Sequence, residues 1–546
     1  VEFGRSTART DNRAFVVVQN DGLGTCLLNG IRLSPDTDPA FRLVDPPAEV
    51  RLARGASEAI EVAFRPERPA DAMDLTFEGT LEFYVSADPS SYQFPITGEQ
   101  TTVPLVRAPN VVDFVGGTND YTRYEAEVSL INGSNNTVTV TSVERVSDEL
   151  TTFSVEHDTT PFTINREGGR RTIRVVGLPP ASGNEHRVAQ IEVTLDDNPT
   201  PFVIPVLLRV EDGLQTTERF VQAGQTESEV VWVLPFHSDS GGQSVADVVA
   251  RPSTLWDQFI APVTAAGARY EVGFIRGESD VTTCGNRIAS EPVDPGALHR
   301  GGCGFLANGD IPPGSGLFTD LWKLIDGNDG MLTQADVFEG HMTKQINTVF
   351  TADPGLEAAL LAVHPVITGG WNSDLLSEDA HLHFVFLNNI DDGSPREIEA
   401  YADWIRHVRG YAHRFDQTST ALVGPDGGCS TGELGNVADG RRFREASRLV
   451  GGGLSESLCT NDWVRTIENI GRAAAGIRRR VQLSRVPVPS SIEVFADGVA
   501  VPAGTDPQPN WTFDEVDRVL TFTSSTSAAV AAGAEVEITY DPQCVP

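Results

Sequence analysis

The stretch Glu229-Val-Val-Trp-Val-Leu-Pro-Phe-His-Ser-Asp-Ser-Gly-Gly242 opens with a short apolar run and then turns polar and glycine-rich. A valine-rich run of this length is typical of a strand buried in the centre of a parallel sheet. Apolar residues at helical spacing follow, and a second apolar strand is predicted at residues 270–275. Strand, helix and strand in this order predict a βαβ unit.

Later segments extend this unit into a layered domain. Residues 380–387 read Ala-His-Leu-His-Phe-Val-Phe-Leu and predict another buried strand, while helices are predicted at 398–408 and 462–477. We therefore predict a doubly wound α/β domain over residues 213–482, which begins with a linker at about 213–228.

These elements resemble the start of a von Willebrand factor A (vWA) domain. In that family the first strand ends in Asp-x-Ser-x-Ser, and this motif holds a divalent cation. Here Pro235, His237 and Asp239 stand at the three motif positions, and Asn389 replaces the aspartate expected after the fourth strand. A hard divalent cation binds several oxygen ligands, and proline offers none. The resemblance therefore implies a vWA-like fold with a degenerate metal site, no bound metal and no other cofactor.

Two chemical alternatives depend on the same loops. His237 and Asp239, with Thr351 and Asp391, offer a softer ligand set, so a divalent cation at a rewired site stays open. Asp239-Ser-Gly-Gly242 is similar to the serine loop of trypsin-like proteases. The sequence shows no complete set of nucleophile, base and orienting group, so we expect no catalytic residues and no enzyme activity.

Residues 1–212 contain two copies of one segment, offset by 110–112 residues. Val1-Glu-Phe3 matches Val112-Asp-Phe114, and Phe94-Pro-Ile96 matches Ile204-Pro-Val206. Short apolar and polar alternations, separated by turn residues, predict an all-β sandwich for each copy, at 1–101 and 102–212.

The repeat has Phe-Gly near its start, as Phe3-Gly4 in the first copy, and then a strand that ends in Asn before a glycine-containing turn, at Asn20 and Asn132. This pattern resembles the Hydin-like, "choice-of-anchor D" type of immunoglobulin-like module. The resemblance implies spacers and interaction platforms. Residues 483–546 return to short strands with a hairpin turn at Asp497-Gly498, and they resemble the small β-module that follows vWA-like domains in bacterial surface proteins.

The bulk composition excludes some classes of partner. A formal net charge of −35 argues against binding to nucleic acid or to an anionic membrane surface. No apolar run reaches the length of a transmembrane helix. Because the sequence begins at Val1 and shows no signal peptide, we expect a processed or incompletely covered secreted chain.

The cysteines indicate an oxidising compartment. Cys284 with Cys303, and Cys429 with Cys459, each close a loop of modest length between glycine-rich flanks, so both pairs are disulfide candidates. Cys544 remains, with Cys26 as its partner by elimination or as a buried free thiol.

Taken together, the sequence predicts a non-enzymatic bacterial protein that is secreted or bound to the cell surface, with the periplasm as an alternative. Two tandem β-sandwiches would form a stalk, and the vWA-like domain with its β-module would form a head that binds other proteins. Partners would be other proteins, copies of the chain itself, or components of a surface or filament. The alternatives are a metal-dependent adhesin and a structural subunit of an extracellular filament or surface layer.

Overall fold

The computed structural model describes the chain except for residues 45, 48, 68–74, 87, 104, 117–123, 134–135, 147–152, 167–168, 178–185, 211–215, 223–226, 235–253, 267, 277–353, 364–375, 378–379, 411–412, 414–415, 432–434, 451–453, 479, 484–486, 504–509, 515–518, 523–528, 530, 532 and 542–546. β-Strands make up most of its regular structure. The chain divides into unit 1 (Val1–Leu214, His407–Arg414 and Cys544–Pro546) and unit 2 (Gln215–Arg406 and Phe415–Gln543).

Unit 1 contains the two sequence copies. The strands of the first copy are β1 (Glu2–Thr7), β2 (Asn12–Gln19), β3 (Cys26–Leu33), β4 (Phe41–Leu43), β5 (Glu49–Leu52), β6 (Ser57–Phe64), β7 (Leu75–Val85) and β8 (Asp88–Thr101). Those of the second are β9 (Leu105–Ala108), β10 (Val112–Gly116), β11 (Tyr124–Asn132), β12 (Val138–Val146), β13 (Phe153–Glu156), β14 (Phe162–Ile164), β15 (Gly169–Gly177), β16 (His186–Leu195) and β17 (Phe202–Val210).

The two copies pair their strands in the same way, which confirms the repeat. In the first copy β1 runs parallel to β8, and β8, β7, β3 and β5 follow in order, while β2, β6 and β4 form a second sheet. In the second copy β10 runs parallel to β17, and β16, β12 and β14 follow, while β11, β15 and β13 form the second sheet, to which β9 adds a fourth strand beside β11. Apolar residues from both sheets meet in one core in each copy, so each copy is a β-sandwich.

Phenylalanine rings fill the middle of the first core. Phe64 stacks on Phe41 at a centroid distance of 4.9 Å, and Phe3 and Phe77 pack on Phe64 at 5.6 and 5.5 Å. Phe3 opens the first copy as Phe114 opens the second, and both are buried. The early Phe seen in the sequence is therefore a core residue at the point where the first strand enters the sandwich.

The repeated asparagine is also a structural residue. Asn20 Nδ2 donates to the carbonyl oxygens of Gly24 (2.7 Å) and Leu52 (2.8 Å), so it closes the turn before β3 and ties that turn to β5. Asn132 Nδ2 donates to the carbonyl oxygens of Asn136 (2.8 Å) and Ile164 (3.1 Å), which are the corresponding atoms of the second copy. Both asparagines are buried, because their amide groups replace backbone partners that the turn lacks.

The two sandwiches share a β-sheet. β1 also meets β17 of the second copy, in antiparallel register at Gly4 and Phe202. One sheet therefore continues from the first copy into the second, in the order β14-β12-β16-β17-β1-β8-β7-β3-β5.

Unit 2 combines a parallel sheet, helices and a small β-module. Its elements are β18 (Thr216–Val221), β19 (Glu227–Leu234), α1 (Thr254–Ala265), β20 (Arg269–Arg276), α2 (Gly355–Ala362), β21 (Ala380–Leu387), α3 (Ile398–His407), β22 (Gln417–Val423), β23 (Cys429–Thr431), β24 (Gly435–Val437), α4 (Arg441–Val450), β25 (Leu454–Ser457), α5 (Trp463–Ala474), β26 (Arg480–Gln482), β27 (Glu493–Ala496), β28 (Val499–Ala500), β29 (Trp511–Asp514), β30 (Val519–Phe522) and β31 (Glu535–Tyr540). Of the helices that the structure describes, none combines the length and the apolar character needed to cross a bilayer.

The parallel sheet has the strand order β20-β19-β21-β22-β25 and is covered by helices on both faces. On one face Trp232 packs against Phe259 of α1 at 5.5 Å, and α5 joins the same apolar cluster. On the other face Phe386 packs against Phe443 of α4 at 5.4 Å, and α2 lies beside them. The predicted strand at 380–387 matches β21, in which every residue is buried.

The predicted linker at about 213–228 is wrong. β18 pairs antiparallel with β31 and so adds a strand to the C-terminal sheet β18-β31-β27-β28. The buried Gln222 secures this strand, because its side-chain amide reaches two distant segments. Its Nε2 donates to the carbonyl oxygens of Arg478 (2.8 Å) and Ala529 (2.6 Å). β18 is a strand because it pairs with β31, which lies more than 300 residues further along the chain, and no local sequence pattern reveals such a partner. The domain boundaries at 101/102, 212/213 and 482/483 stay a prediction.

We expect Asn20→Ala and Asn132→Ala each to lower the free energy of unfolding of unit 1 by about 1–3 kcal/mol, because each leaves buried carbonyl groups without a donor. Calorimetric unfolding would measure the loss. The matched control is Asn29→Ala at a half-exposed site in β3, for which we expect a change below about 0.5 kcal/mol. Equal, small effects of all three substitutions would contradict a structural role for the repeated asparagine.

Candidate functional site

Ligands of open parallel sheets bind outside the carboxyl ends of the strands, where the strand order changes direction. In unit 2 this point lies between β19 and β21. Residues 235–253, which follow β19, lie outside the described residues. The described part of this edge is the loop 388–394 after β21, here called the acidic loop, with the first turns of α2 and α4.

Two adjacent carboxylates of the acidic loop each hold the first turn of a different helix. Asp391 Oδ1 accepts a hydrogen bond from the backbone N–H of Arg442 in α4 (2.8 Å). Asp392 Oδ1 accepts from the backbone N–H of Leu356 in α2 (3.1 Å). Carboxylates are stabilised at helix N-termini by the unpaired N–H groups and by the helix dipole. The acidic loop therefore fastens two helices to the end of the central strand β21.

Ser394 and Arg442 complete the environment of Asp392. Ser394 Oγ donates to Asp392 Oδ1 (2.7 Å) and accepts from the backbone N–H of Glu357 (2.9 Å). Arg442 Nε donates to Asp392 Oδ2 (3.1 Å), and Arg442 Nη2 donates to the carbonyl oxygens of Ser394 (3.1 Å) and Arg396 (2.8 Å). Burial raises the pKa of Asp392, and the hydrogen bonds and the Arg442 charge oppose this rise without cancelling it.

Glu357 and Tyr401 form a second buried contact beside the acidic loop. Both side chains are fully buried, and the Tyr401 hydroxyl donates to Glu357 Oε2. The same hydroxyl accepts from the backbone N–H of Arg396 (3.2 Å). Burial, the charge of Glu357 and this hydrogen bond raise the pKa of Tyr401 far above its usual value, so the phenol stays protonated. The contact fixes α3 against α2.

The predicted remnant metal loop falls into two parts. His237, Asp239 and Thr351 lie outside the described residues, so their roles stay predictions. Asn389 and Asp391 both lie in the acidic loop; Asn389 is buried, and its carbonyl oxygen accepts from the N–H of Ala438 (2.9 Å). Within the described part of the chain, no group of three or more His, Cys, Asp and Glu side chains is placed to hold a metal ion.

Sequence reasoning missed the partners of the acidic loop. One of them had a local signal: the N–H of Ser394 donates to Asp392 Oδ2 (3.2 Å), a short-range turn in which aspartate is favoured. Arg442, Glu357 and Tyr401 come from three separate helices, so their position around the acidic loop depends on tertiary packing.

The structure confirms one predicted disulfide. Cys429 and Cys459 are bonded, with Cα atoms 6.5 Å apart, and the bridge links the segments that follow β22 and β25. The other predicted pair, Cys284 and Cys303, lies outside the described residues, as does Cys544. Among the described cysteines, Cys26 is half-exposed and forms no disulfide, and its sulfur lies 3.3 Å from Asn20 Oδ1. A bond from Cys26 to Cys544 stays a prediction.

Comparison with known proteins identifies no family. No protein-family model matches the chain, and a search of curated proteins finds no relative. Among solved structures, a protein of unknown function from Porphyromonas gingivalis W83 is similar at 16% identity over 38% of this chain and 95% of that chain (TM-score 0.17). The secreted serine protease VesC from Vibrio cholerae is similar at 12% identity over 36% of this chain and 49% of the protease (TM-score 0.15). The sialic acid binding region of a Streptococcus sanguinis SK1 adhesin is similar at 10% identity over 42% of this chain and 80% of that chain (TM-score 0.16). Similarity at these TM-scores assigns no function to this chain.

We expect Asp392→Ala to lower the free energy of unfolding of unit 2 by about 2–4 kcal/mol, because it removes the acceptor of buried N–H groups and the ion partner of Arg442. All seven Trp residues lie beyond residue 231, so Trp fluorescence during urea unfolding reports on unit 2. Asp426→Ala is the matched control, because that carboxylate is 95% exposed although it also pairs with an arginine. A loss no larger than that of the control would show that Asp392 does not hold the helices.

Proposed function

We propose that this chain is a non-enzymatic, secreted or cell-surface protein. Unit 1 would be a stiff spacer, and the parallel-sheet domain of unit 2 would be a degenerate vWA-like domain that binds another protein. The observation that carries the proposal is the buried junction between the two sandwich copies of unit 1. A flexible tether needs no such junction, whereas a spacer that transmits position or force depends on one.

The junction begins at Gly4, where the backbones of the two copies touch. The N–H of Arg5 donates to the carbonyl oxygen of Pro201 (2.8 Å). Gly4 has a φ of +62°, and a Cβ atom there would lie 2.4 Å from the Pro201 oxygen, closer than real Cβ atoms approach. The second copy carries Val115 at the corresponding position, so the glycine belongs to the junction and not to the repeat.

Arg5 adds an ionic clamp between the copies. Its side chain is 1% exposed, and its two terminal nitrogens donate to Asp197 Oδ1 (3.0 Å) and Oδ2 (2.8 Å). Nη2 also donates to Thr101 Oγ1 (2.8 Å), and the guanidinium carbon lies 5.1 Å from the ring centroid of Phe202. A bidentate pair fixes orientation as well as distance. This clamp resists rotation of one copy against the other.

The segment that connects the copies is also immobilised. Arg107 is buried, its Nη1 donates to the carbonyl oxygen of Val203 (2.6 Å), and its Nη2 donates to Asn12 Oδ1. Burial lowers the pKa of Arg107 to about 10, so the guanidinium stays charged at neutral pH. Asn110 Nδ2 donates to the carbonyl oxygen of Asp11 (2.8 Å). A connection held by side chains along its length supports a stiff spacer.

The proposal for unit 2 follows from how the acidic loop uses its carboxylates. Asp391 and Asp392 accept hydrogen bonds from helix N–H groups, and Asp392 also pairs with Arg442. A cation would have to compete with these partners for both side chains. Pro235 and Asn389 stand where the vWA resemblance expects metal-binding residues. These features favour protein binding through loops and strand edges over binding through a bridging metal.

We expect the two copies of unit 1 to unfold as one cooperative block. Hydrogen exchange measured by mass spectrometry along a urea series should show β8 and β17 losing protection at the same urea concentration. Gly4→Ala should separate the two transitions, because the new Cβ pushes β1 away from β17. Gly55→Ala is the matched control, since Gly55 has a similar φ of +77° but open space around it. Loss of protection in β8 and β17 at different urea concentrations in the unaltered chain would contradict the proposal that unit 1 is a stiff spacer.

We expect Mg²⁺, Mn²⁺ and Ca²⁺ at micromolar concentration to leave the melting temperature of the chain unchanged to within about one degree. A cation that binds only the folded state raises the free energy of unfolding, and with it the melting temperature, by an amount that grows with the logarithm of the ratio of cation concentration to Kd. A rise of several degrees from any one ion, abolished by Asp239→Ala, would instead support the metal-dependent adhesin.

A further inference from the structure

A short segment of the chain belongs to unit 1, although the elements on either side of it belong to unit 2. It covers residues 407–414, from the last residue of α3 to the approach to β22. The structure describes residues 407–410 and 413 of this segment, which is here called the strap. Val408, Arg409 and Gly410 are all buried. Buried backbone groups outside helices and strands still need hydrogen-bond partners, so the strap must find partners in unit 1.

The strap finds these partners in the turn that joins β1 to β2. The N–H of Asp11 donates to the carbonyl oxygen of Arg409 (3.0 Å), and Asp11 forms a parallel β-bridge with Gly410. Thr10 Oγ1 donates to the carbonyl oxygen of Val408 (3.2 Å). Two consecutive carbonyl groups of the strap are therefore satisfied by a single turn of the first sandwich copy.

Glycine is required where the strap comes closest to this turn. Gly410 has a φ of +97°, and a Cβ atom there would lie 2.1 Å from the carbonyl oxygen of Asp11. The atom in the way belongs to the backbone, so it cannot rotate aside as a flexible side chain can. A side chain at position 410 therefore pushes the strap away from the turn.

The carboxylate of Asp11 adds an ionic contact to the strap. This side chain is fully buried, and its Oδ2 accepts from Arg13 Nη2 (3.0 Å) and Arg42 Nη2 (3.2 Å). His413 Nε2 of the strap lies 3.6 Å from the same oxygen. Burial raises the pKa of Asp11, but the hydrogen bond from His413 and the charges of the two arginines outweigh burial and hold the pKa below its usual value. The carboxylate is therefore charged at neutral pH.

The turn that holds the strap is itself fixed by the junction between the sandwich copies. The carbonyl oxygen of Asp11 accepts from Asn110 Nδ2 (2.8 Å), and Asn12 Oδ1 accepts from Arg107 Nη2. Both donors lie in the connection between the two copies. The turn therefore keeps the geometry that the strap requires only while unit 1 is folded.

We propose that the strap is a conformational device of unit 1, which keeps it docked while unit 1 is folded and releases it when unit 1 unfolds. Unit 1 thereby sets the conformation of the chain between α3 and β22. This inference does not depend on the proposed function, because it rests on contacts within unit 1 alone.

Hydrogen exchange of the intact chain, read in overlapping peptides that cover the strap, tests the proposal. Asn20→Ala destabilises unit 1, and Asp392→Ala destabilises unit 2. We expect Asn20→Ala to raise the opening constant of the strap by the same factor as that of β2, about fivefold or more. Asp392→Ala should raise the opening constant of β22 and leave that of the strap unchanged. A strap that follows β22, or that follows neither strand, would overturn the proposal.

Gly410→Ala tests the contact itself. The new Cβ meets the backbone of Asp11, so the opening constant of the strap should rise about tenfold or more while that of β2 stays unchanged. Gly427→Ala is the matched control, because Gly427 has a φ of +75° but open space around it, and it should leave the strap unchanged. Equal protection of the strap in both variants would contradict docking on the turn. If Gly410→Ala does not fold, the comparison of Asn20→Ala with Asp392→Ala still decides.

Discussion

Backbone N–H and C=O groups that leave water must find a partner, and in this protein polar side chains supply many of those partners. Asp391 and Asp392 accept from the first turns of two helices. Asn20 and Asn132 donate to turn and strand carbonyls, and Gln222 joins three segments of unit 2. An unpaired buried polar group costs about 1–3 kcal/mol, so each of these side chains restricts which backbone segments can meet. Removing the acceptor or donor leaves the apolar core in place but loosens the geometry around it.

This constraint also affects the chemistry at the edge of the parallel sheet. A chain with 76 acidic and 41 basic residues has many carboxylates to offer a cation. The carboxylates of the acidic loop are instead used as helix caps and as an ion partner for Arg442. A carboxylate that accepts several hydrogen bonds from the protein has fewer unoccupied lone pairs with which to bind a metal ion. The residues that stabilise the domain therefore leave the acidic loop with less capacity to bind a metal ion, which is the basis for proposing contact through the surface of the domain instead.

The local pattern of apolar and polar residues predicted a strand where the buried residues are apolar, and it failed where the buried residues are polar. The apolar residues of β21 predicted that strand, and the repeat anticipated an equivalent strand pairing in both copies of unit 1. β22 reads Gln-Thr-Ser-Thr-Ala-Leu-Val and is nevertheless buried throughout, and the hydroxyl groups of Thr418 and Thr420 bond to buried histidines. A polar strand in a core has no apolar signature. β18 was likewise missed, since its partner β31 lies near the other end of the chain.

The sequence by itself determined the repeat, the alternation of apolar residues that places the strands, and the presence of Pro235 and Asn389 at positions where the vWA resemblance implies metal ligands. Only the tertiary structure decided that Gly4 faces the Pro201 carbonyl group, that Asp391 and Asp392 face two different helices, and that two histidines share one threonine. The physical reason is the separation along the chain between the residues that interact. Periodicity reports which side of an element is buried, whereas a hydrogen bond depends on which distant segments the packed core brings within about 3 Å of each other.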